Sequence, residues 1–399
     1  MAKFNRLQDC VVTNKNVIVR VDINVPMDGD KIEDDSRIRA IIPTLQYLAQ
    51  NKAKVIIISH FGRPKSKFDA KMSLKPLVSR ISELLGDKIK VGFIYDSIGE
   101  KVVKAVENTN YGDVILLENL RFYKEETQNN EEFARKLASL GNLYVNDAFS
   151  CSHRAHASIV GIPAILKHCA GFLLTKELDN LTNLLENAKK PMMAVVGGAK
   201  VSTKFDLLHS LVEKADSLVV GGGMANSFLY AIGKNIGKSL CEKELKDGVL
   251  KVIAKAKKAG CEIILPIDVV VAKKFVEGES FEVLGVDDVR DDDIILDIAE
   301  KSIKNLLQKL QTHKTLVWNG PLGAFEIKPF NIGTESFARN VAQLTKSGKL
   351  LSIAGGGDVV SAINSINLAD DFTYISTAGG AFLEWLEGKD LPGLEALKK

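Results

Sequence analysis

The chain has 399 residues, 46% apolar and 26% charged, with a formal net charge of +3. That length exceeds one hydrophobic core and predicts two domains, and the composition excludes a largely disordered protein. So small a net charge, with no long run of Lys or Arg, gives no ground for nucleic-acid or membrane-surface binding.

From the N-terminus, the first predicted strand spans 17–21 and runs out into Arg20, Asp22 and Asn24. A helix from Ser36 follows, with Ile38, Ile41, Ile42, Leu45 and Leu48 on one stripe, Ser36 as candidate N-cap and Arg37 in the first turn. The strand at 54–58 opens into SHFGRP, with His60 and Arg63, and that at 114–117 into ENLRFY, with Arg121. The strand at 143–145 opens into NDAFSCSHRAH, with His153, Arg154 and His156. A single strand-end arginine is ordinarily a surface ion pair. Five in one half, converging if the strands are parallel neighbours, suggest bidentate capture of phosphate and carboxylate. Asp22 and Asn24 add acceptors suited to a substrate hydroxyl, or else they organise their loop.

A polar amphipathic helix from Lys176 predicts the domain boundary within 167–191. Beyond it, strands at 192–196, 218–220, 262–265, 315–318, 351–354 and 373–376 alternate with helical patterns, and four of them end in glycine. GGAKVSTK, Gly197–Lys204, places Lys200 and Lys204 one turn apart near a predicted helix start. Cations at the positive end of a helix dipole call for an anion there, such as a phosphate; the alternative is a solvated lysine pair. In VVGGGMANS, Gly221, Gly222 and Gly223 read either as tight loop packing or as a bare surface for a flat base. In GGGDVVSAI, Asp358 follows Gly356 and Gly357 as an N-cap or, beside a phosphate, as a Mg²⁺ ligand.

Strands apolar on both faces and separated by amphipathic helices define the α/β class, with two doubly wound, mostly parallel sheets. GKNIGKS from Gly233 has only three residues between its glycines and is no P-loop, and Asn226 breaks any dinucleotide fingerprint after Gly221 and Gly223. The uncharged run Ser217–Gly233, broken by glycines, reads as strand, loop and buried helix rather than a membrane span. Five cysteines (Cys10, Cys151, Cys169, Cys241 and Cys261) include no CxxC pair, so no disulfide framework or zinc site is expected. With an N-terminus lacking an apolar leader core, the expected location is the reduced cytoplasm.

RVDINVP, SHFGRP, LLENLRFY, HRAHAS, VVGGAKVSTK, WNGPLGAFE, GGGD and LEGKDLPGLEAL together resemble the phosphoglycerate kinase family, in its order and over essentially the whole chain. The resemblance implies Mg²⁺-dependent phosphoryl transfer between ATP and the carboxylate of 3-phosphoglycerate, giving ADP and 1,3-bisphosphoglycerate, by a monomer. It implies a triose-binding domain over 1–170, a helical hinge at 171–190, a nucleotide-binding domain over 191–385, and a segment 386–399 returning to the first domain. It assigns the triose to Asp22, Asn24, Arg37, His60, Arg63, Arg121 and Arg154. On the nucleotide side it assigns Lys200 and Lys204 to the phosphates, Gly356, Gly357 and Val359 to the phosphate loop, and Asp358 to the metal. Glu326 faces the ribose, and Gly221, Gly222, Gly223 and Gly320 line the adenine pocket. Arg37, Lys200 and Lys204 are the expected catalytic cations.

The sequence departs from the family pattern at three places. Val359 stands where Ser or Thr is usual, Ser150, Cys151 and Ser152 where Gly-Thr-Ala is common, and Ala378 replaces the first glycine of a frequent triplet. Two other readings remain open on the residues alone. One is a non-catalytic two-domain anion-binding protein, and the other a kinase for a different small carboxylate.

Overall fold

The structure, a computed structural model, describes residues 4–65, 67–186 and 188–398. They fall into two compact units, one running to Asp179 and taking in the segment from Asp390, the other spanning Asn180–Lys389. The division falls inside a single helix, Phe172–Glu186.

In the first unit β1 (Asn16–Val21) is followed by a hairpin of β2 (Met27–Asp28) and β3 (Lys31–Ile32). Then come β4 (Lys54–Ile58), β5 (Val91–Ile94), β6 (Val114–Leu117), β7 (Leu143–Asp147) and β8 (His168–Ala170). Six of these form one sheet in the order β5-β6-β4-β1-β7-β8, every pairing parallel. Their apolar runs are buried because helices cover them. Ile38, Ile41, Leu45 and Leu48 of the helix Ser36–Gln50 enter the core beside Val19, Val55 and Val145. Ile42 is only partly buried, and the N-cap is Asp35, with Ser36 the first helical residue. The Ser36 amide donates to Asp34 Oδ1 at 2.8 Å, so the neighbouring aspartate serves the helix end that the serine was expected to serve.

The second unit contains β9 (Met192–Val196), β10 (Ser217–Val220), β11 (Glu262–Ile264), β12 (Asp268–Ala272), β13 (Phe281–Gly285), β14 (Ile294–Ile298), β15 (Thr315–Asn319), β16 (Leu351–Gly355) and β17 (Tyr374–Ser376). Its parallel sheet has the order β11-β10-β9-β15-β16-β17. A separate antiparallel sheet, β13-β12-β14, was not anticipated. The run Ser217–Gly233 resolves into β10 and the helix Gly222–Ala231, nearly all of it buried. No described helix is long and apolar enough to cross a membrane.

In each unit the chain leaves a central strand for both neighbours, β1 between β4 and β7, β9 between β10 and β15. Strand-end loops diverge at such switch points, which makes the carboxyl edge the natural place for a crevice.

The segment from Asp390 joins the first unit. Leu391, Leu394 and Leu397 are buried, the Gly393 amide donates to Ser152 O at 2.8 Å, and Phe4 and Lys398 form an antiparallel bridge.

Candidate active site

At the carboxyl edge of the first sheet, the loops after β1, β4 and β7 bring Asp22, His60, Ser150 and Cys151 together. Arg37 Nη1 donates to Asp22 Oδ2 at 2.8 Å and to Asn24 O at 3.3 Å, and Ser150 Oγ donates to the same Asp22 oxygen at 2.5 Å. Asn24 Oδ1 accepts from the Gly62 amide at 2.8 Å, tying the β1 loop to the β4 loop. Arg121 Nη1 donates to Gly62 O at 2.6 Å, and Arg154 Nε to His153 Nε2 at 3.0 Å. Arg63 and Arg154 are exposed, and Arg63 has no side-chain partner among the described residues. The predicted triose residues thus cluster around the loops that follow β1, β4, β6 and β7.

Arg20 differs from the other strand-end arginines. It is 1% exposed, donates to Ser158 Oγ at 2.8 Å and to Val21 O, and lies 3.2 Å from His60 Nδ1 and 3.7 Å from Cys151 Sγ. Ser158 in turn bonds Glu126, through its amide at 2.9 Å and its hydroxyl at 2.5 Å. Arg20 is therefore the buried support of the site rather than a ligand-facing cation. Glu126 and Ser158, which sequence reasoning missed, complete that support. No signal singled them out, because Glu126 is one of three charged residues in the short helix Lys124–Thr127 and Ser158 lies in the separate turn Ala157–Gly161.

Burial, and then Arg20, depress the His60 pKa well below its ordinary value, so the imidazole is neutral at pH 7. Burial opposes charge on Asp22, but His60, Arg37, Ser150 and Arg20 outweigh it and keep the carboxylate below its usual range. Burial, with Arg20, Arg121 and Arg154, lowers His156 to about 4. Asp22, His60 and Cys151 bring one ligand-type atom each within 4.8 Å of one another, yet Arg20 touches two of the three. A guanidinium holds the charge position a metal would need, so this edge suits anions.

The second edge is built mainly from backbone. Lys204 is the N-cap of the helix Phe205–Lys214 and folds back to donate to Gly197 O at 2.7 Å and Asn319 Oδ1 at 2.5 Å. Asn319 Nδ2 donates on to Gly355 O at 2.5 Å, so one lysine and one asparagine stitch the β9, β15 and β16 loops. Burial lowers Lys204 to about 8, with Asp358 opposing. Lys200 is exposed in the preceding loop, so the two lysines do not share a helical face as their spacing predicted. The chain makes a 3-10 turn at Ser202–Lys204 before the α-helix begins, which rotates Lys200 out of register.

Gly320 (φ +89°) and Gly356 (φ +104°) occupy backbone open to glycine, and a Cβ there would lie 2.3 Å from Gly197 O and 2.4 Å from Asn319 Nδ2 respectively. A cleft of about 330 Å³ opens beside these loops, walled by Gly222, Gly223, Asn226, Leu240, Phe275 and Leu322, with Glu326 and Asp358 at its polar side. Gly221 and Gly320 are not among its lining residues. Gly221 is packed against Leu322 and Gly320 against Gly197, which corrects the expectation that both line the pocket. The amides of Gly222 and Met224 already donate to Leu322 O and Gly198 O, so much of that glycine run is tight packing.

Val359 offers the phosphate loop no side-chain group. Its side chain is fully buried in the core, leaving only its backbone amide for a ligand. Asp358 is not the N-cap either, because Gly356 holds that position and Asp358 is the second residue of the helix Gly357–Ser365. It is exposed, with no hydrogen bond or ion pair among the described residues. Asp297 was not anticipated at all. It lies in the cleft wall, buried, accepts from the Gly333 amide at 2.7 Å and the Ile298 amide at 2.9 Å, and is raised by burial to about 7.

An arginine-rich anion crevice on one α/β unit and a lysine-and-amide crevice beside an apolar cleft on the other define a small-molecule phosphotransferase. The family model described as phosphoglycerate kinase matches residues 7–389. The chain is 50% identical over 399 residues to the phosphoglycerate kinase of Methylorubrum extorquens (strain PA1), covering 100% of this chain and 99% of that one. It is 52% identical over 387 residues to that of Zymomonas mobilis, covering 97% of each. The solved phosphoglycerate kinase of Coxiella burnetii superposes with a TM-score of 0.89 at 42% identity, covering 99% of both chains, and that of Pyrococcus horikoshii OT3 with 0.82 at 31%, covering 98% of both. The chain belongs to the phosphoglycerate kinase family. Its reaction is reversible phosphoryl transfer between ATP and the carboxylate of 3-phosphoglycerate.

Proposed function

We propose that the first unit holds the triose and the second the nucleotide, with the chemistry carried by cations and backbone amides rather than by a general base. The observation that carries this reading is the contrast between the two strand-end edges. The acceptor carboxylate is already ionised at pH 7, so no proton need be removed. Arg63, Arg121 and Arg154 bind the triose phosphate, neutral His60 donates or accepts a hydrogen bond, and Asp22 and Asn24 orient the hydroxyl. Arg37 sits 33% exposed at the start of its helix and meets the transferring phosphoryl group, displacing part of its contact with Asp22.

On the nucleotide side Lys200 and Lys204 meet the phosphates. The amides of Gly357, Asp358 and Val359 open a helix whose first-turn N–H groups have no intrahelical acceptor. The base enters the apolar cleft, where Asn226 Oδ1 has no hydrogen-bond partner among the described residues and so offers an acceptor, and Glu326 faces the ribose. Asp358, an exposed carboxylate without an ion pair beside Lys204 and these amides, fits a Mg²⁺ ion that binds through one or two carboxylates and phosphate oxygens. Bound there, Mg²⁺ neutralises phosphate charge. Transfer requires the two ligands to meet with water kept out, since water would hydrolyse the acyl phosphate. We further propose that the enzyme acts as a cytoplasmic monomer.

The test is a coupled assay of acyl-phosphate formation from 3-phosphoglycerate, with acetate and glycerate as controls, repeated for Asp358→Asn across a Mg²⁺ titration. Turnover with the phosphorylated acid alone, and a right-shifted metal curve for the variant, are expected. Equal rates with glycerate would overturn the arginine-lined triose site, and an unshifted metal curve would remove Asp358 from the metal.

A further inference from the structure

The buried support beneath the first edge determines where a proton sits as well as where side chains stand. Arg20 Nε donates to Ser158 Oγ at 2.8 Å and Nη1 donates to Val21 O, while Nη2 lies 3.2 Å from His60 Nδ1 and 3.7 Å from Cys151 Sγ. Ser158 Oγ has a single proton. Because it accepts from Arg20, that proton goes to Glu126 Oε1 at 2.5 Å. The serine cannot turn away, since Tyr144 Oη donates to Ser158 O at 2.7 Å and the Ser158 amide donates to Glu126 Oε2 at 2.9 Å. Arg20, Glu126, Tyr144 and Ser158 are each at most 1% exposed. The guanidinium is thus held in one orientation by Ser158 and Val21, and that orientation aims Nη2 at the imidazole.

A guanidinium donates from every nitrogen and accepts nothing, so the ring nitrogen it faces must offer a lone pair. His60 is neutral, and its one ring proton therefore belongs to Nε2. The Cys151 thiol, a weak partner 4.0 Å from the same Nδ1, does not compete. Nε2 itself has no hydrogen-bond partner among the described residues. We propose that Arg20 is a positioning residue for the reaction: by engaging His60 Nδ1 it holds the imidazole in the Nε2–H tautomer, which makes His60 a fixed donor to an anionic oxygen of the triose. This rests on the assignment of the triose to the first unit. The other tautomer would turn a lone pair toward the ligand's oxygens and repel them.

The full chain, with ¹⁵N in its six histidines, is observed without ligand by two-bond ¹H–¹⁵N correlation NMR at pH 7, and His60→Gln identifies the His60 signals. The two tautomers differ in cross-peak pattern and in nitrogen frequency. A protonated Nε2 with an unprotonated Nδ1 is expected. Arg20→Lys keeps the charge but lacks the planar fork that spans Ser158 and His60 together, so the single tautomer should give way to a mixture. Where half the molecules lack the Nε2 proton, the apparent Kd for 3-phosphoglycerate rises about twofold while that for ADP stays the same. Should Arg20→Lys fold poorly, Ser158→Ala, which removes the acceptor that orients the guanidinium, is read in the same way. A protonated Nδ1 in the wild-type chain, or an unmixed Nε2–H tautomer in the folded variant, would overturn the role of Arg20 whatever the triose does. The expected tautomer with an Nε2–H signal that stays in place on adding 3-phosphoglycerate would instead overturn the donor role, together with the triose site on which it rests.

Discussion

Arg37 and Arg20 stand seventeen positions apart in the chain and carry the same guanidinium, yet burial gives them different work. Arg20 has its charge consumed by Ser158, His60 and the Glu126 network, whereas Arg37 keeps a third of its side chain exposed. Arg37→Ala should therefore lower kcat by about 10³ to 10⁵ with a smaller change in KM for 3-phosphoglycerate, as expected for a cation used mainly in the transition state. Steady-state kinetics check it, and an unchanged kcat with a raised KM would leave Arg37 a binding residue. Asp297 makes a prediction of another kind. Burial raises it to about 7 in the folded state, above the ordinary 3.8 of an unfolded chain. Its contribution to stability is fully present below about pH 4 and lost as pH rises through about 7. Asp297→Asn should flatten the Tm profile over that window, and parallel profiles for the variant and wild type would show that this carboxyl does not titrate there.

At the scale of elements, most of the strands that were legible in the sequence are those buried on both faces, and the edge strands β11 and β17 were legible besides. β1, β4, β6, β7, β9, β10, β15 and β16 show as unbroken apolar runs because both sides are covered by helices. The short edge strands β5 and β8 were missed, as was the antiparallel trio. β13 alternates too weakly and stays largely exposed, and Asp297 interrupts β14. The site showed the same division. Motifs located the cations and glycines, but no pattern in the chain separates a glycine that faces a cavity from one that holds two loops apart. Gly320 belongs to the second kind. Gly320→Ala, placing a Cβ 2.3 Å from Gly197 O at φ +89°, should cost about 1–3 kcal/mol in urea unfolding and raise KM for ATP more than for 3-phosphoglycerate. An unaltered KM for ATP would separate the β9–β15 loop contact from nucleotide binding.

For the whole molecule, two units with separate cores imply two separately addressable stabilities. A ligand that binds one folded unit stabilises that unit by mass action. ADP with Mg²⁺ should slow amide exchange chiefly within 180–389, and 3-phosphoglycerate chiefly within 1–179, each read by hydrogen-exchange mass spectrometry. Equal protection of both units by either ligand alone would mean that they behave as one cooperative body. The segment from Asp390 adds a consequence for biosynthesis. Phe4 pairs with Lys398, and the Gly393 amide caps Ser152 O, so the unit translated first is covered by residues translated after the whole of the second unit. On the ribosome, the order of emergence and the order of completion are therefore reversed. The second unit can mature as it emerges, while the arginine-rich first unit waits for residues 390–398, exposing Ser152 and its apolar neighbours to chaperones and proteases until they arrive.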